Sequence, residues 1–343
     1  VTSVFGLTET LTGSHAQSKN AFLFGLSFYS ASMAYLIAKR NFSYKKIFAI
    51  SNPLLLITGP ILLFFKKISH KKLKKRYEYY LPFMLVGIFM FQIVASPLTE
   101  FFFLIDKTDL ISVIIFAVIF ELFVYMNFCG LSLFVYGFFG LLGYKIPLNF
   151  KQPFSSRNIV EFWRGWHTTL SQVLKTLFYN PLRARFSIFY ALTGVFIASA
   201  MWHGVTFNFV LWGIFHTLFF WLSVKILKYN YSLLPILMLP FIIVVGRIIF
   251  ADSNTSRLLE KLTFTFEGFN GFSLLFNSSP ISLLALFFGF LIIAIEFLFK
   301  DYKIMKRRNY KFLRTPFSLL ILCLLGVLFI SNTGVDYAVY GQR

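Results

Sequence analysis

Apolar runs long enough to cross a bilayer alternate with short basic stretches along most of the chain. At about 1.5 Å per residue, roughly 20 residues span the hydrocarbon. Runs at 21–38, 79–98, 187–201, 205–228, 231–250 and 281–299 fit or approach that length, and 316–331 makes a shorter last span. Pro97 is expected to close the second of these. The run 47–65 contains Pro53, Gly59 and Pro60 and has basic clusters on both sides. A simple crossing would put one cluster on the wrong face of the membrane. A re-entrant or broken segment is therefore expected, buried in protein or lining a cavity. The stretch 110–143 is too long for one span. Asn127 and Gly130 interrupt it, which predicts a crossing over 110–127 and a second element over 130–143.

The pattern changes at 144–186. Lys145, Lys151, Arg157, Arg164, Lys175, Arg183 and Arg185 are interspersed with Phe, Trp, Leu and Tyr, an interfacial, amphipathic composition. Asn158 followed by Glu161 forms a capping pattern, and a helix is predicted over about 159–178, before Pro181. On one continuous helix, Trp163, Trp166, His167 and Leu170 share a face. Further on, WHG (202–204) lies between two apolar runs. His203 and His216, thirteen positions apart, share a face only if the helix breaks at Gly204. A loop with one interfacial helix (254–264) and a basic loop (301–311) complete the outline. The fold class is an all-α polytopic membrane protein with about nine or ten transmembrane or re-entrant helices, interfacial helices and one membrane domain over 1–343.

Composition supports this outline. Of the 343 residues, 57% are hydrophobic and 13% charged, against about 25% charged in soluble domains. The formal net charge of +20 would suggest nucleic acid in a soluble protein. Here the Lys and Arg lie in short loops, so cytoplasmic placement and anionic headgroups explain them, and nucleic acid is excluded as a partner. Cys129 and Cys323 sit in apolar runs and offer neither a disulfide framework nor a metal spacing. The chain starts at Val1, not Met, and shows no signal-peptide pattern. Val1 is read as a boundary within a longer protein, with N-terminal helices missing.

Candidate chemistry is concentrated between Asn149 and Leu222. That stretch holds all five tryptophans and three of the five histidines, His167, His203 and His216. No phosphate loop, dinucleotide loop, HExxH pair or GxSxG elbow occurs, and no metal set is visible. An ionisable side chain at membrane depth is a functional candidate by default. His203 has two readings: a core histidine bonded to a neighbouring helix, or a neutral imidazole serving as a general base. Glu121 also has two, a snorkelling carboxylate or a functional one that is paired or faces a cavity. His216 reads as structural, His70 as interfacial and His15 as exposed.

Several blocks resemble the membrane-bound O-acyltransferase family. They are FLFGLSFYSASMAYLIAKR (22–40), NPLLLITGPILLFFKK (52–67), the long block from Asn127 to Ser171, MWHG (201–204) with FVLWGIFH (209–216), and VVGRIIFADSNTSRLLEKL (244–262). The resemblance lies nearest the bacterial branch of alginate and peptidoglycan O-acetyltransferases and teichoic-acid D-alanyl transfer proteins. Where the family usually has Trp-Arg-Arg-Trp-His, this chain reads Trp163, Arg164, Gly165, Trp166, His167. Where it usually has Phe-Arg-Ala, Phe250 meets Ala251 directly, with Arg247 close by.

The resemblance implies helices around a central tunnel, with donor and acceptor arriving from opposite sides. The family's invariant histidine falls on His203 and its second histidine on His167. Trp163, Trp166 and Trp202 would line the tunnel, with Asn127 and Asn208 as polar supports. The implied reaction moves an acyl group, acetyl first, from acetyl-CoA to a cell-surface glycan or a partner acyltransferase. The alternative donor is an acyl or D-alanyl carrier-protein thioester, with teichoic acid as acceptor. No bound cofactor is expected. Membrane lipids are the implied surroundings and the cytoplasmic (inner) membrane the implied location. A transporter or lipid-linked glycan flippase, using the histidines as proton relays, is the reading from another class, and a non-catalytic membrane scaffold is a third.

Overall fold

Helices carry nearly all of the described backbone, as apolar segments in a bilayer must satisfy their own N–H and C=O groups. The computed structural model describes residues 15–41, 43–52, 61, 66–67, 73–105, 110–228, 234–251, 258, 274 and 276–298. Most of the expected broken run at 47–65, Cys323, the loop helix 254–264 and the last span 316–331 lie outside the described residues.

Helix α1 runs His15–Ala38 and α2 Tyr44–Ile50, the latter capped by Ser43. A two-residue antiparallel ladder pairs β1 (Lys66–Lys67) with β2 (Tyr144–Lys145). Helix α3 covers Leu73–Ile88 and continues through a π-helical segment, Phe89–Ala95, into two short helical turns. Helix α4 is Leu110–Leu141. After β2 come a 3-10 turn (Pro153–Ser155), α5 (Ile159–Gly165), α6 (Thr168–Leu174), a second π-helical segment (Lys175–Tyr179) and α7 (Asn180–Arg185). The chain then forms α8 (Ile188–His203), α9 (Phe207–Lys228), α10 (Leu234–Phe250) and α11 (Pro280–Leu298). Among the described residues, four segments are long and apolar enough to cross a membrane: Leu73–Leu104, Leu110–Leu141, Phe207–Ile226 and Pro280–Leu298.

Three boundaries differ from the sequence-based expectation. First, 110–143 is one helix of 32 residues, not two elements. Gly130 does not break it, because α3 lies directly against that face. A Cβ added at Gly87 would collide with the backbone of Phe134 and Gly130, so the two helices touch backbone to backbone. Small residues at such a seam suit a membrane, where close van der Waals packing brings helices together. Second, Pro97 does not end its span, and helical turns continue to Leu104. Third, Pro181 does not stop the helical path, which continues to Arg185. Both prolines follow a π-helical segment. A proline ring clashes with the carbonyl four residues earlier, here Ile93 or Leu177. Each of those carbonyls lies in the wider π turn, which accommodates the ring without breaking the helix.

Packing follows the sequence in part. Helix α3 lies along α4, α8 along α9, and α9 on α10, which returns to α4. The end of α3 is tied to the start of α11 by Glu100. Its carboxylate accepts from the Ser279 backbone N–H at 2.8 Å and from the hydroxyls of Ser279 and Ser282 at 2.5 Å. A carboxylate suits a helix N-terminus, where unpaired N–H groups point outward.

Candidate functional site

The capping pattern at Asn158 forms as predicted. Its side chain accepts from the Glu161 N–H at 2.9 Å, while the Glu161 carboxylate accepts from the Arg157 N–H at 3.1 Å. The long helix expected after it does not form. Helix α5 stops at Gly165, whose carbonyl accepts from the Lys151 N–H at 2.8 Å. A Cβ at Gly165 would press on the Lys151 carbonyl at 2.9 Å, so the returning strand of chain needs this glycine. Trp166 is extended, and His167 takes a left-handed conformation (φ 42°, ψ 56°) before α6 starts. Trp163, Trp166, His167 and Leu170 therefore do not share one helical face. Trp166 turns toward Tyr125 and Phe150, stacking on Phe162. Trp163 turns the other way, toward Trp212 and His216.

A non-glycine residue in the left-handed region costs on the order of 1–3 kcal/mol and tends to mark functional corners. Hydrogen bonds to the preceding segment offset that cost at His167. The Thr168 N–H donates to the Asn149 carbonyl at 2.8 Å and its hydroxyl to the Leu148 carbonyl at 2.5 Å. The Asn149 side-chain oxygen accepts from the Thr169 hydroxyl at 2.5 Å and from its N–H at 3.3 Å. His167 itself caps α6, with Nδ1 accepting from the Leu170 N–H at 3.4 Å. An imidazole that accepts at Nδ1 carries its proton on Nε2 when neutral.

His203 is the last residue of α8, and Gly204 ends that helix in extended backbone. The helix does break at Gly204, the condition under which His203 and His216 could face each other, and α9 folds back along α8. Rings hold the half-buried His203. Phe250 of α10 lies edge-on to it at 4.8 Å, with Phe209 at 6.3 Å and Trp212 at 6.5 Å. His167 and Arg247 are near enough to act on it electrostatically. Trp212 also packs on His216 at 4.5 Å, so the two α8–α9 histidines share one tryptophan without meeting. His216, 3% exposed, is enclosed by Trp163, Phe196, Trp212 and Phe215 and abuts Gly246, a structural environment.

The remaining residues named from sequence divide. Trp202 faces away from this cluster, packing on Phe28 and the α6 side. Asn208 is fully buried, adjacent to Phe209. Asn127 lies half-buried in mid-α4 and makes no hydrogen bond to either histidine among the described residues. No group of His, Cys, Asp and Glu that could hold a metal occurs among the described residues.

Sequence reasoning passed over Phe250 and Asn149, and treated Glu121 and Arg247 separately. In the fold these two are an ion pair: Arg247 Nε donates to Glu121 Oε2 at 2.6 Å, and a second guanidinium nitrogen contacts the same oxygen. Two opposite charges in apolar runs were the available signal, since each needs a partner at membrane depth.

The sequence profile of the membrane-bound O-acyltransferase family matches residues 38–251, which include both histidines and Arg247. The chain belongs to the membrane-bound O-acyltransferase family. It is 38% identical over 96 residues to a peptidoglycan O-acetyltransferase of Helicobacter pylori, covering 27% of this chain and 18% of that protein. It is 33% identical over 105 residues to the probable alginate O-acetylase AlgI of Pseudomonas putida, covering 29% and 21%. A teichoic acid D-alanyltransferase of Streptococcus thermophilus is 29% identical over 105 residues, covering 27% and 25%. The aligned stretches thus cover about a fifth to a quarter of these relatives' own length. With its apolar helices, the family membership makes this a multi-pass membrane protein.

Proposed function

We propose that this chain is an O-acyltransferase that moves an acyl group from a thioester donor to a hydroxyl of a cell-surface glycan or a partner transferase. The observation that carries the reading is that the family-matched region contains both His203, at the end of α8, and His167, at a left-handed corner. His203 closes α8 in an aromatic setting, and His167 presents an Nε2–H from a left-handed corner. Family membership and the names of the relatives support the same chemistry.

A ring nitrogen of His203 takes the proton of the acceptor hydroxyl as its oxygen attacks the thioester carbonyl carbon. The carbonyl π pair moves onto oxygen, and His167 Nε2–H hydrogen-bonds that oxyanion. Collapse re-forms the C=O bond and breaks the C–S bond, and the departing thiolate takes the proton from the His203 imidazolium. General-base action of this kind contributes about 10²–10⁴-fold and an oxyanion donor about 10²–10³-fold. Positioning both substrates in a dry, ring-lined space supplies much of the rest. In this reading Trp212 and Phe250 line the substrate space beside His203, while Trp202, which packs on Phe28, lies outside it. The location is the cytoplasmic membrane, with the basic loops inside and membrane lipids around the helices.

Acetyl from acetyl-CoA is the proposed acyl group, because the peptidoglycan and alginate relatives are named as O-acetylating proteins. The D-alanyltransferase relatives favour a second donor, a D-alanyl carrier-protein thioester with teichoic acid as acceptor. Membranes containing the protein, given labelled acetyl-CoA, test both parts. Transfer to glycan or a protein partner that vanishes in an equally expressed His203→Ala variant supports the reading. Transfer only from a charged D-alanyl carrier protein selects the second donor. Undiminished transfer by His203→Ala overturns the role of His203, and silence with both donors favours a transporter.

A further inference from the structure

The ion pair between Glu121 and Arg247 lies one side chain away from His203. Arg247 extends from α10, and Glu121 is 5% exposed in mid-α4. The guanidinium lies over the Phe250 ring at 5.1 Å and the Phe120 ring at 5.6 Å. Phe250 in turn lies edge-on to His203 at 4.8 Å. A continuous path thus runs from the carboxylate through the guanidinium and one ring to the imidazole.

Stability is a weak reason for such a pair. Desolvating two charges is costly, and apolar replacements of similar volume are often neutral or stabilising. The pairing is also incomplete: both contacts fall on Glu121 Oε2, and Oε1 is buried without a hydrogen-bond partner among the described residues. A lone guanidinium at this spot would oppose any positive charge forming on His203. The carboxylate is paired with that cation, and the guanidinium carbon lies over the Phe250 ring. Four ionisable groups besides Glu121 lie in this region: His167 and Arg247 are near His203, and Arg247 is also near His216.

We infer that Glu121 and Arg247 are a positioning pair for His203, fixing Phe250 against the imidazole and neutralising the cation beside it. This rests on His203 being the base, as proposed above. The test is acyl transfer by the full chain in membranes, with kcat and KM measured for Glu121→Gln, Arg247→Gln and the double variant, and thermal midpoints taken in detergent. Each single change should lower kcat by about tenfold or more with KM altered less than about threefold, since the defect lies in the reacting step. The double variant should turn over faster than either single one, because it carries no uncompensated charge. Arg247→Lys keeps the charge but loses the planar face, and should lower kcat by about tenfold even if the other single variants do not fold.

Folded single variants or Arg247→Lys with native kcat would overturn the inference. So would a loss confined to KM, or a double variant no faster than the slower single one. His203→Ala assayed alongside separates the two claims. If it is inactive while the pair variants are unaffected, only this inference fails; if it stays active, the reading of His203 has failed.

Discussion

The two histidines of the site are held by opposite means. His203 ends a long apolar helix and is held by ring contacts from two other helices. His167 sits at a backbone corner held by hydrogen bonds from Thr168 and Thr169 to the 148–149 segment. Ring packing holds the half-buried His203 imidazole, a setting compatible with the proton transfer proposed for it. The Nδ1 of His167 accepts from the Leu170 N–H, which in the proposed reading leaves Nε2–H to donate. The two imidazoles thereby sit in different surroundings, which the proposed reading turns into different roles.

The contrast can be broken from either side. The largest expected effect is on His203→Ala, where kcat should fall by about 10²–10⁴-fold with the thermal midpoint little changed. His167→Gly is the more informative change at the other histidine. Glycine adopts the left-handed corner freely, so folding should survive while kcat falls by about 10²–10³-fold, the loss of an oxyanion donor. A thermal midpoint that collapses with activity would show that the ring, not the backbone, maintains the corner. Asn149→Ala removes the acceptor for both Thr169 donors and should cost about 1–3 kcal/mol of stability. It should harm the His167 corner more than the His203 pocket, readable as faster protease cleavage near 165–168. Asn158→Ala is the mildest, a lost helix cap of about 1 kcal/mol with near-native kcat.

Much of this was legible along the chain. Helices appear over 187–201, 205–228, 231–250 and 281–299 within a few residues of their expected limits, and of these Phe207–Ile226 and Pro280–Leu298 are long and apolar enough to cross a membrane. The Asn158 cap and the break at Gly204 were visible because their signals are local. Errors arose where a neighbour decides. Gly130 looked like an interruption in α4, yet its missing side chain is what admits α3. Pro97 and Pro181 looked like stops, yet each is absorbed by a π turn. The 159–178 helix looked continuous because the pull of the 148–153 segment on Gly165, Thr168 and Thr169 leaves no periodic trace.

Sequence by itself determined that this chain is a helical membrane protein, and it singled out His167 and His203 as candidates. Hydrophobic length, loop charge and residue type act at short range and are written in order along the chain. Tertiary structure alone decided that His167 occupies a left-handed corner, that Trp163 and Trp166 part company, and that Glu121 meets Arg247 across 126 positions. Those outcomes depend on which helix lies beside which. A charge buried in one apolar run states that it needs a partner, but only packing selects the helix that supplies one.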